Sequence, residues 1–104
     1  MTSLQVLPYG VEMATTEKIP FGFDATKLLV GAQTPANAVS VLTDMTTATN
    51  IPLGADTPEI LANIITQEIK GTLLEVNHIY ELAISFDADG QTTFTMVQKI
   101  SCVR

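Results

Sequence analysis

The sequence is short of most residues that do chemistry. It has one cysteine, one histidine and no tryptophan, and 15% of its residues are charged, where a globular domain ordinarily has about 25%. A lone cysteine, Cys102, excludes an intrachain disulfide; it ends an apolar run and reads as a small buried residue. The five basic residues, Lys18, Lys27, Lys70, Lys99 and Arg104, are scattered against eleven acidic ones, for a net charge of −6. Nucleic-acid binding needs a concentrated positive footprint, which this spacing denies. The same acidity, with a pI near 4.4, opposes docking on anionic lipid. No apolar run approaches the ~20 residues of a membrane span, and "MTSLQVLPYG" lacks the basic start and apolar stretch of a signal peptide. The expectation is a protein made in the cytoplasm, without a secretion signal. The six glycines never cluster into a phosphate-cradling loop.

What is present is apolar. Hydrophobic residues make up 46% of the 104, enough for one core and one domain spanning 1–104. A mean hydropathy of +0.30 with so little charge implies a surface of threonine, serine and alanine, partly covered by partners.

Between frequent turn signals lie short alternating segments. In Lys18–Asp24, Ile19, Phe21 and Phe23 share a face; Pro20 cannot donate to a ladder, so an edge position or a bulge is expected. In Ala38–Asp44, Val39 and Val41 share a face with Thr43. In Ile79–Phe86, Tyr80, Leu82, Ile84 and Phe86 do so. In Thr92–Val103, Phe94, Met96, Ile100 and Cys102 form a face that Gln98 interrupts, either as a buried amide with partners or through a bulge. "TPEILANIITQEIKG" has helix punctuation in Thr57, Pro58 and Gly71, with Ile60, Leu61, Ile64, Ile65 and Ile69 as a stripe. Its isoleucines favour a strand, in which Leu61, Ile65 and Ile69 share a face with Asn63 and Gln67. The surrounding short strands decide for strand. The fold expected is all-β: a two-layer antiparallel β-sandwich of six to seven strands. Its expected core is Tyr80, Leu82, Ile84, Phe86, Phe21, Phe23, Val39, Val41 and Phe94. Residues 1–12 are either a first strand or an arm that docks on a neighbour.

"HIYELAISFDADGQTTFTMVQ" concentrates the candidate chemistry. Gly90 accepts positive φ, and Asp87 and Asp89 can bond nearby backbone N–H groups, which makes a hairpin turn. A calcium loop with Asp87 and Asp89 at positions three and five would begin at Ser85 and end at Met96, without the closing glutamate. His78 has no second histidine or neighbouring cysteine to complete a zinc site. Ser3, Ser40, Ser85 and Ser101 lie in no nucleophile-elbow context. His78 therefore reads as structural, and no catalytic, cofactor-binding or metal site is expected, nor an enzyme.

"LLEVNHIYELAISFDADG" resembles the late strands of fibronectin type III and other immunoglobulin-like domains. Leu74 and Tyr80 keep the spacing of a leucine six residues before the corner tyrosine, and the resemblance implies that the all-β, two-layer antiparallel sandwich is immunoglobulin-like. Val76-Asn77 replaces the usual Pro-Gly, and Asn77 can still adopt the left-handed conformation. More widely, Phe23–Leu29, Thr34–Asp44, Ile64–Gly71 and Tyr80–Gly90 resemble segments of small immunoglobulin-like proteins encoded among the structural genes of tailed phages and prophages. That resemblance implies a virion protein: a neck or tail adaptor, a fibre-attachment component, or a capsid decoration protein. Its partners would be other virion proteins and copies of itself, with no nucleic acid, membrane, small-molecule substrate or cofactor. The contact elements expected are "TSLQVLPYGVEM" and the Thr46–Asp56 loop. The alternative is a ligand- or carbohydrate-binding sandwich, for which Tyr9 is the one plausible exposed stacking platform.

Overall fold

The computed structural model describes residues 2–6, 10–29, 33–88 and 92–103. Two β-sheets stack around one core, and the described residues contain no α-helix. The larger sheet has the order β1(Thr2–Val6), β9(Thr92–Cys102), β8(Ile79–Ala88), β4(Pro35–Asp44), β5(Thr49–Ile51), with β2(Val11–Met13) also on β9. The smaller has the order β3(Lys18–Asp24), β7(Ile64–Lys70), β6(Glu59–Leu61). Six strands have five or more residues; β2, β5 and β6 have three each. The sandwich is all-β, as the alternation requires.

The N-terminal segment supplies first strands: β1 and β2 both lie parallel to β9 along its outer edge. All other pairings are antiparallel. Met13, at the end of β2, is fully buried, so this part of the segment is tied into the core. Pro20 sits in β3, which among the described residues is an edge strand pairing only with β7, as its missing N–H demands.

Residues 57–71 form a hairpin, not a helix: β6 and β7 pair around a turn at Ala62-Asn63, with Ala62 at φ 54°. Ile65, Gln67 and Ile69 share the core-facing side of β7 and are fully buried. Leu61 does not join them. The turn separates it from β7, and it stands 73% exposed.

The core contains Tyr80, Leu82, Ile84, Phe86 and Phe21 as expected, and Phe23 and Phe94 pack against it half-buried. Phe86 lies between Phe23 and Phe94, at ring centroid separations of 5.8 and 5.4 Å. Val39 and Val41 are a correction: both are exposed, at 58% and 42%. The cause is a bulge between Ala36 and Val39, with Asn37 at φ 56°. One extra residue changes strand parity. Val39 and Val41 thereby face Ser85 and Ala83, while Ser40 and Leu42 face Ile84 and Leu82 in the interior. Gln98 needs no bulge. The β8–β9 register runs unbroken, and half-buried Gln98 donates from Nε2 to the Lys99 carbonyl at 3.0 Å.

The corner before β8 forms as the spacing of Leu74 and Tyr80 implies. Leu74 is buried, Asn77 adopts φ 71°, and the Glu75 N–H donates to the Tyr80 hydroxyl oxygen at 2.7 Å.

Candidate functional site

The parity that exposes Val39 also buries Asp44 at the end of β4, where it meets the start of β8. His78 Nδ1 lies 2.7 Å from Asp44 Oδ2, and its Nε2 lies 3.2 Å from Glu75 Oε2. Asp44 Oδ1 accepts from the backbone N–H groups of Thr46 and Thr47 at 2.9 and 3.2 Å. The bond to Asp44 raises the histidine's pKa above 6.5; burial opposes this, and the charges of Asp44 and Glu75 reinforce it. Burial pushes the Asp44 carboxyl upward. The His78 bond, the two backbone donors and the histidine's charge outweigh it and hold the pKa below 3.8. With a carboxylate at each ring nitrogen, His78 can donate to both when it is protonated. The cluster is a clamp: it ties the β4–β5 turn to the corner before β8. Its missing partner, Asp44, was detectable in sequence only as a carboxylate ending an apolar strand.

The other singled-out residues do not converge on it. Asp87 lies within β8, and its carboxylate takes side-chain donors: Asn37 Nδ2 at 3.3 Å and Thr93 Oγ1 at 2.9 Å. It thus joins the β4 bulge to β9. Asp89 and Gly90, like Tyr9, lie outside the described residues. Ser85 Oγ bonds Thr95 Oγ1 at 3.0 Å across the β8–β9 ladder. Cys102 is buried, at 1% exposure.

The feature that sequence reasoning missed is a groove of about 520 Å³ beside β4. Its near wall is the run Ala38–Leu42, and its far wall is the chain from Ile51 through Leu53 to Pro58, which crosses from one sheet to the other. Consecutive strand residues alternate faces, so a wall made of five in a row meets the groove edge-on, through its backbone. Gln67 reaches this groove from β7. Its Nε2 donates to the carbonyls of Asp56 and Glu68 at 3.1 and 2.9 Å, which fixes the amide. Its Oε1, and the Oγ of Ser40, are buried without a hydrogen-bond partner. The signal available in sequence was an inward-facing glutamine among isoleucines at Ile65, Gln67 and Ile69.

No model of a known protein family matches the chain, and no curated protein matches it.

Proposed function

We propose that this protein is a non-enzymatic structural module of a phage or phage-like virion, acting by being bound as a neck or tail adaptor, a fibre-attachment component or a capsid decoration protein. The observation that carries the reading is the outward pair Val39 and Val41 beside the open side of β4. Two large apolar side chains on a strand whose edge is unpaired among the described residues are a liability in a free monomer, and a covered surface removes it. The chain as a whole is poor in charge, at 15% of its residues, which lowers the desolvation cost of covering its surface. The virion setting comes from the resemblance of four strand segments to phage immunoglobulin-like proteins. A carbohydrate-binding role is less well supported: sugar rings stack on aromatic faces, whereas none of the residues lining the groove is aromatic.

The test is to purify particles from an induced lysate of the encoding genome on a density gradient and measure the copies of this chain per particle. A fixed copy number above background supports the role. Absence of the intact chain from particles that contain the capsid protein overturns it.

A further inference from the structure

We propose that the free side of β4 is a strand-docking groove that receives a short, extended, uncharged segment of a partner protein. The proposal rests on the reading of the chain as an assembly module and names the surface through which it is engaged.

β5 is short and pairs only with Leu42–Asp44. Upstream, Pro35–Val41 pairs with β8 on one side and, among the described residues, with no strand on the other. In an antiparallel strand, alternate residues turn their N–H and C=O groups away from the partner already bound. The groove lies along this unpaired edge. An added segment would lie collinear with β5 and lengthen the ladder that β5 abandons at Ile51.

The groove's chemistry selects the occupant. The edge repeats donors and acceptors at strand spacing, which another extended main chain matches and a compact small molecule does not. Gln67 and Ser40 are among the lining residues, and each holds one buried polar atom without a hydrogen-bond partner. Charge narrows the choice further. The chain carries a net charge of −6, yet the one carboxylate among the lining residues, Asp56, is paired with Lys70 at 3.3 Å. A charged segment would be desolvated there without a counter-ion. Alternate side chains of the segment would meet Leu53 and Pro58 in the groove, and the others would lie beside Val39 and Val41. Valine, threonine and similar residues suit both sides. A second copy of this chain fits less well. Pro52 and Pro58 in the far wall lack N–H donors, and the Asn37 bulge interrupts β4 at its upstream end.

The probe is an acetylated, amidated heptapeptide of alternating valine and threonine. Backbone amide exchange of the full chain is followed residue by residue with and without it. At saturating, millimolar peptide, outward-facing amides between Ala36 and Val41 should exchange at least tenfold more slowly. A peptide N-methylated at alternate amides, or one with lysine in place of threonine, should give no such slowing. The exposed-site variant Val41→Lys should retain the fold and weaken peptide binding at least fivefold. No slowing at saturating peptide, slowing confined to β6, or equal slowing by the N-methylated peptide would overturn the proposal. So would a sedimentation dimer that Val41→Lys abolishes, since the occupant would then be a second copy. These are solution measurements, so failure here is distinct from absence of the protein from particles.

Discussion

The backbone N–H of Glu75 donates to the hydroxyl oxygen of Tyr80 at 2.7 Å, across a corner in which Asn77 adopts φ 71°. The Tyr80 ring is buried between the sheets, so this bond locks the loop before β8 onto the core. Tyr80→Phe leaves the Glu75 N–H without that acceptor, and should cost about 1–3 kcal/mol. Urea unfolding checks it. A loss below about 0.5 kcal/mol would mean that water satisfies the N–H equally well.

The clamp between His78 and Asp44 makes stability depend on pH. The histidine's pKa is raised on folding, so its contribution is complete below 6.5 and is lost as pH rises through the higher folded-state value. The aspartate's is lowered, so its contribution is present above 3.8 and is lost as pH falls through the lower folded-state value. The advantage of the wild type over His78→Gln should therefore be greatest between those two ordinary values and shrink toward pH 9. Urea midpoints across this range test it; an advantage that grows with alkalinity would contradict the clamp.

Gly71 is required by close approach. A Cβ there would stand 2.7 and 2.8 Å from the backbone carbon and oxygen of Thr15, and closer still to the Ala14 carbonyl oxygen. The Gly71 N–H also donates to the Glu17 carbonyl at 2.7 Å, joining the end of β7 to the β2–β3 turn. Backbone cannot yield as a side-chain end can, so Gly71→Ala should cost about 3 kcal/mol, the upper range for overpacking. A thermal midpoint equal to the wild type would refute it.

Ala62 carries a conformational penalty in the β6–β7 turn, at φ 54°. Left-handed backbone costs a residue with a Cβ about 1–2 kcal/mol, and glycine returns part of that gain through unfolded-chain entropy. Ala62→Gly should stabilise by about 0.5–1 kcal/mol in chemical denaturation. Destabilisation of that size would show that the alanine methyl packs usefully.

The strands and the corner were legible because their signals are local. Tyr80, Leu82, Ile84 and Phe86 alternate without interruption, and the spacing of Leu74 and Tyr80 carries the corner. Val39 and Val41 were misassigned to the core because a bulge at Asn37 is a property of two paired strands. Within β4 alone, valines look more inward than Ala38 and Ser40. The groove was hidden for the same reason: its walls come from β4 and from a distant crossing segment, and its base from Gln67. Asp44 and His78 are 34 residues apart and meet only once that altered parity turns Asp44 inward.

The role proposed for the chain is to be bound through the open side of β4. Its most direct test is competitive incorporation: wild type and Val41→Lys, matched in thermal stability and supplied in equal amounts during particle assembly, are quantified in purified virions. The expected result is at least a tenfold excess of wild type. Equal incorporation of the two would contradict the role of β4, and absence of both from particles that contain the capsid protein would contradict the claim as a whole.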